Sequence, residues 1–103
     1  MPEMHFVIEW PSGDTERCYS PSYVIEQHLT VGGSYTVDDF LERASRSLWI
    51  ASERVRARYG MACTAALDQL ARLEAAAGSL LPGHRGGRVR VLAFEKHPPR
   101  DAR

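Results

Sequence analysis

The segment TVDDFLERASRSLWIASERVRARYG, residues 36–60, decides the fold because it carries the start, the apolar stripe and the stop of one long helix. Thr36 with Asp39 three positions later is an acidic variant of the capping box. Gly60 suits the left-handed backbone that ends many helices. Between these signals, apolar residues recur at spacings of three and four: Val37, Phe40, Leu41, Ala44, Leu48, Ala51, Val55 and Tyr59. The pattern predicts a helix over residues 37–59, about 35 Å long.

Two large apolar residues of this helix lie outside its stripe. At 100° per residue, Trp49 projects roughly 120° and Ile50 roughly 140° from the centre of the stripe, on opposite flanks. Full burial of such a side chain is worth about 2–3 kcal/mol, so each is expected to have a packing partner. That partner is either a second helix of the same chain or the same helix of a second copy in a twofold interface. Trp49 and Ile50 are therefore the candidate interface residues, and a homodimer is the expected assembly.

The C-terminal half predicts a second helix and a strand. An alanine-rich helix is expected over residues 64–80, where Ala66, Leu70, Leu73, Ala77 and Leu80 alternate spacings of four and three. A loop over residues 81–87 leads to a strand over residues 88–96. Strict alternation in this strand puts Val89, Val91 and Ala93 on one side, with Glu95 next in the same series, and Arg88, Arg90, Leu92, Phe94 and Lys96 on the other.

The N-terminal part predicts a β-hairpin followed by an ambiguous segment. Residues 5–10 and 17–20 read as two strands, and residues 11–16 contain the Pro, Gly and Asp typical of a turn. After the hairpin, Ser20 resembles an N-cap with Pro21 in the first helical position. An extended conformation is equally open, because Val24 and Ile25 are weak helix formers.

Together these elements predict the order β-β-(short α)-α-α-β. This is an α+β fold of two layers, in which a small, mainly antiparallel sheet packs on the long helix and the alanine-rich helix. The sheet is expected to consist of the N-terminal hairpin and the C-terminal strand, because a lone strand must pair its backbone groups. Residues 1–96 are predicted to form a single domain and residues 97–103 a mobile tail.

Composition narrows the classes of partner and the compartment. The chain of 103 residues has 13 basic and 13 acidic side chains, so it lacks the positive field that attracts nucleic acid or anionic membranes. It contains no run of about 18 apolar residues and no signal-peptide pattern at its start. We expect a cytoplasmic protein in which Cys18 and Cys63 are free thiols, with no nucleic-acid or membrane partner.

Residue types that carry chemistry are few and scattered. The four histidines are far apart in sequence and the cysteines lack metal-ligand spacing, so neither a metal nor a cofactor is predicted. No catalytic residue is predicted, because no base, nucleophile and electrostatic stabiliser converge. The RCYSPS stretch, residues 17–22, is either a packed strand end or a small pocket. In the second case the pocket is lined by Cys18, Tyr19, Ser20, Ser22 and His28, with His28 or His5 as the base.

Four segments together carry a resemblance to a known family: MPEMHFVIEWPSGDTERCYSPS, YTVDDFLERASRSLWIASERVRARYG, ACTAALDQL and VRVLAFE. Over about residues 1–95 the chain resembles the small bacterial nitrogen-starvation-response proteins encoded beside a nitrilase. The resemblance implies a bacterial setting and a link to the assimilation of nitriles or cyanide. The family carries no established chemistry, so it assigns no catalytic residue.

Two functional hypotheses follow. The first is a non-enzymatic accessory or regulatory protein, a homodimer that binds another component of the nitrogen-scavenging pathway through its sheet face or its helices; the partner is expected from the same gene cluster. The second is a small enzyme or metabolite-binding protein with its pocket at residues 18–22 and His28. The first is preferred because no catalytic constellation is evident.

Overall fold

The computed structural model describes residues 3–61 and 64–97. In chain order its elements are β1 (Glu3–Glu9), β2 (Thr15–Ser20), a 3-10 helix (Tyr23–Gln27), β3 (Ser34–Thr36), α1 (Val37–Tyr59), α2 (Thr64–Gly78), the short α3 (Pro82–Arg85) and β4 (Arg88–His97). The predicted α+β class and element order are confirmed. The strand β3 and the short α3 were not predicted.

The sheet is antiparallel with strand order β2-β1-β4-β3. The C-terminal strand pairs with the hairpin as expected, and Phe6 of β1 lies between Cys18 of β2 and Phe94 of β4. β3 pairs with β4 over three residues, with Tyr35 opposite Val89. A strand of that length is too short to leave an alternating pattern, which explains why the sequence does not reveal it.

The long helix α1 has the predicted bounds and the predicted caps. The Thr36 side chain accepts a hydrogen bond from the Asp39 backbone N–H at 3.1 Å. Gly60 adopts a φ of 80°, and its N–H donates to the Arg56 carbonyl. The stripe is buried from Val37 to Ala51 except for the half-buried Leu41, whereas Tyr59 is 58% exposed. The last turns of α1 therefore contribute little to the core.

The segment after the hairpin forms a 3-10 helix, but its N-cap is Ser22 and not Ser20. Ser20 stays in β2, where it pairs with Met4. Its hydroxyl donates to the Ser22 carbonyl and accepts from the Ser22 N–H. The Ser22 hydroxyl then accepts from the Val24 N–H. The cap lies two residues later than predicted because the strand continues through Ser20.

A β-bulge changes the two faces of β4. Val7 pairs with Ala93, but Ile8 pairs with Val91, so Leu92 is the extra residue. Because side chains alternate along a strand, one extra residue reverses the facing beyond it. Val89 and Val91 share a face as predicted, and this face points to the helices. Phe94 also packs against the core, whereas Ala93 and Glu95 lie on the other face, paired with Val7 and His5. The prediction that Phe94 and Val91 lie on different faces of β4 was wrong because the bulge was not foreseen.

The core lies between the sheet and the helices. Met4, Phe6 and Ile8 of β1 are fully buried, and Leu70 and Leu73 of α2 belong to the same cluster. α2 also reaches the edge of the sheet, where its Gln69 accepts a hydrogen bond from the Tyr19 N–H at 2.9 Å. In residues 3–61 and 64–97, no helix is both long and apolar enough to cross a membrane.

Candidate functional site

Cys18, the proposed nucleophile of the predicted pocket, is part of the core. Its side chain is fully buried, and its Sγ lies 3.9 Å from the Glu16 carbonyl oxygen. Desolvation, followed by the negative charge of Glu16, raises the pKa of the Cys18 thiol far above its usual range. A buried thiol that stays protonated is a poor nucleophile. Cys63 lies outside the described residues.

The other residues of the predicted pocket do not face one cavity with Cys18. Ser20 and Ser22 are buried and hydrogen-bonded to the local backbone. Tyr19 points to the opposite side of β2 and donates its hydroxyl to Glu3. His28 lines a separate surface cavity of about 250 Å³ beside α1. In the described residues, the contacts of Ser20, Ser22 and Tyr19 are structural. A ligand site shared by the predicted residues stays a prediction.

A different cavity lies between the hairpin turn and the end of α2. It has a volume of about 390 Å³, and its lining includes Trp10, Asp14, Glu16, Leu80 and His84. Trp10 donates from its indole nitrogen to the Glu16 carboxylate at 2.9 Å. The place corresponds to the predicted pocket between hairpin and helices, but none of the residues predicted for that pocket lines it.

The candidate interface residues lie on an exposed strip of α1. We call this strip the Trp49 surface: Trp49, Ile50, Glu53, Arg54 and Ala57 line a shallow depression of about 510 Å³. Trp49 is 49% exposed, so α2 of the same chain does not bury it. Ile50 is half-buried. Arg54 donates to the Ser22 hydroxyl at 3.3 Å, which anchors one side of the surface.

A histidine cluster lies on the sheet face that the helices do not cover. His5 Nδ1 and His97 Nε2 share a hydrogen bond at 2.9 Å, and Glu95 is the neighbour of both on that face. The Glu95 carboxylate accepts from Arg17 Nε at 2.7 Å. We call His5, Glu95 and His97 the histidine cluster.

The surroundings set the protonation of this cluster. Desolvation, then the positive charge of Arg17, then that of His97 lower the pKa of His5. The hydrogen bond from Arg17 lowers the pKa of Glu95. At neutral pH the cluster therefore holds an uncharged His5 beside an ionised carboxylate.

Sequence reasoning missed the histidine cluster because His5 is 90 positions from Glu95 and 92 from His97. The pairing of the first and last strands was predicted, but their register was not. His97 was placed in the tail, whereas it is the last residue of β4 and pairs with Glu3. One signal was available: His5 and His97 lie near the outer ends of two strands that were expected to be antiparallel neighbours.

Comparison with known proteins identifies the family. A family model described as "Nitrogen starvation-induced protein NitG" matches residues 5–94. No curated protein and no solved structure showed significant similarity to the chain. The matched range contains the Trp49 surface and His5 but ends before Glu95 and His97. The chain belongs to the NitG family of nitrogen starvation-induced proteins.

Proposed function

We propose that the protein is a non-enzymatic accessory or regulatory protein of the nitrogen-starvation response that forms a homodimer through the Trp49 surface. The observation that carries this proposal is a tryptophan that is 49% exposed in the middle of the longest helix. An exposed tryptophan beside Ile50 is the kind of anchor that dominates protein interfaces. A domain this small also has limited interior to stabilise it alone.

The Trp49 surface is self-complementary in an antiparallel arrangement. When two copies of α1 pack antiparallel, a twofold axis passes between them at the level of residues 53 and 54. This axis sets Ile50 of one copy opposite Ala57 of the other. The same axis sets Glu53 opposite Arg54, so opposite charges meet. Ile50 thus faces the small Ala57 and Glu53 faces the opposite charge of Arg54, which favours a second copy of the chain as the occupant.

The burial and hydrogen bonding of the polar residues support a non-enzymatic role. Cys18 is buried and protonated, and Ser20 and Ser22 are bonded to the backbone. The arginines of α1 form exposed ion pairs along the helix, such as Arg43 with Asp39 and Arg46 with Glu42. Pairs of this kind belong to a solvated helix face.

Substitution of an exposed alanine tests the dimer. Ala57→Arg places a bulky cation in the Trp49 surface, whereas Ala71→Arg makes the same change on the exposed face of α2. We expect the mass measured by light scattering to fall to that of one chain for Ala57→Arg and to stay at two chains for Ala71→Arg. Equal masses for both variants would refute the interface.

We propose further that the protein binds the product of a neighbouring gene in the nitrilase gene cluster. We expect the tagged protein, purified from nitrogen-starved cells, to carry the product of a neighbouring gene in a fixed ratio. Cells grown on abundant nitrogen provide the control. If the dimer forms but neighbouring gene products are no more enriched than in the control, the partner is refuted and the dimer stands.

The cavity beside Trp10 favours a second candidate function, the binding of a small metabolite. Its volume of about 390 Å³ falls within the range of ligand sites, and Asp14 and Glu16 favour a cationic ligand. In a Trp49→Phe variant, Trp10 is the remaining tryptophan of the two in the chain. A saturable change in its fluorescence with small alkylamines would support this function, and an unchanged emission would reject it.

A further inference from the structure

We propose that His5, Glu95 and His97 bind one divalent transition-metal ion, with zinc the best match, on the uncovered face of the sheet. Each residue offers one ligand atom, and these three atoms lie within 4.8 Å of one another. This inference does not depend on the dimer, because the cluster lies on the sheet and the Trp49 surface lies on α1.

The chemistry of the three side chains fits a borderline metal ion. Two imidazoles and one carboxylate are a common ligand set for zinc and for other first-row divalent ions. Zinc holds nitrogen and oxygen ligands at about 2.0–2.2 Å, so neighbouring ligand atoms lie roughly 3.3 Å apart. The two imidazole nitrogens are already 2.9 Å apart. Small side-chain rotations bring the carboxylate to the same distance.

The backbone holds the cluster in place through the bulge at Leu92. His5 is directly opposite Glu95, and His97 is diagonal to His5 across the same two strands. Without the extra residue, Glu95 and His97 would face the helices while His5 faced outward. The bulge therefore brings the three ligand atoms to one face, and bulges are common where a strand re-aims functional side chains. Paired central strands also position ligands more rigidly than loops.

Neighbouring groups shape the site further. The hydrogen bond between the two imidazoles puts one proton between the two ligand nitrogens, so metal binding requires the imidazole that holds this proton to carry it on its other ring nitrogen instead. Arg17 bonds Glu95 Oε1 at 2.7 Å, and a carboxylate can accept it on one oxygen and ligate with the other. Arg17 therefore orients Glu95 and also competes with the metal for its charge.

Zinc titration of the full chain without an affinity tag tests the site. We expect one Zn²⁺ per chain in calorimetry. His5→Gln and His97→Gln should each weaken binding at least tenfold, since even outer-shell partners of ligands are worth about 10–100-fold. The matched control is His84→Gln, which removes a histidine of α3 and should leave the affinity unchanged.

A further variant separates ligation from folding. Glu95→Gln should weaken binding because it removes the anionic ligand of the set. Visible absorption of bound Co²⁺ gives a second readout of the ligand set. The proposal is overturned if the wild-type chain binds no stoichiometric zinc, if His84→Gln loses as much affinity as His97→Gln, or if Glu95→Gln binds as the wild type does.

Discussion

At the scale of single residues, burial decides what Cys18 can do. A thiol that is fully buried and whose pKa is raised reacts only when the strand opens. In a Cys63→Ser background, we expect Cys18 to react with a disulfide reagent at neutral pH at least about tenfold more slowly than an exposed thiol. Thr15→Cys, on the same strand in a chain without the native cysteines, is the matched control.

Because burial raises the pKa of the Cys18 thiol, a smaller fraction of Cys18 than of the exposed control is thiolate at every pH between 7 and 9, so Cys18 should label more slowly throughout this interval. The exposed control thiol should accelerate over the same interval. Equal rates for the two thiols at neutral pH would contradict the burial of Cys18 and would support the predicted pocket at residues 18–22.

Ser47 is the residue at which a substitution should stabilise the chain. Its hydroxyl is buried within α1 and has no hydrogen-bond partner among the described residues. Ser47→Ala removes this unsatisfied group and improves helix propensity, so the free energy of unfolding should rise by about 1 kcal/mol. Urea denaturation measures this free energy. The control is Ser45→Ala, at a half-buried position of the same helix, which should gain less stability. A loss of stability in Ser47→Ala would mean that the Ser47 hydroxyl is hydrogen-bonded.

At the scale of elements, α1 depends on its N-cap. The Thr36 hydroxyl satisfies the Asp39 N–H, and β3 ends at this same residue. Thr36→Ala should lower the free energy of unfolding by about 1 kcal/mol, while Thr36→Ser should retain most of it. Equal stability of Thr36→Ala and the wild type in urea denaturation would show that the cap contributes nothing.

The elements also show how far the sequence predicts this fold. The bounds of α1 were predictable because its cap, stripe and terminal glycine are local signals. The bulge was not, because it depends on how β1 and β4 pair, and a one-residue change in register reverses every side chain beyond it. The histidine cluster was missed for the same reason. Trp49 and Ile50 could be named as interface candidates because their departure from the stripe is visible in the local sequence.

At the scale of the whole molecule, the sheet face and the helix layer each present one candidate surface. Because the histidine cluster and the Trp49 surface share no residues, their effects should be independent. We expect His97→Gln to leave the association constant of the dimer unchanged and Ala57→Arg to leave the zinc affinity unchanged. Loss of both properties in either variant would indicate that the two surfaces are coupled.

Sedimentation equilibrium of the wild-type chain over a wide concentration range tests the dimer directly, because it measures the mass of the species in solution. We predict a species of twice the 11.5 kDa chain mass that dissociates on dilution. A single species of 11.5 kDa at every concentration would contradict it.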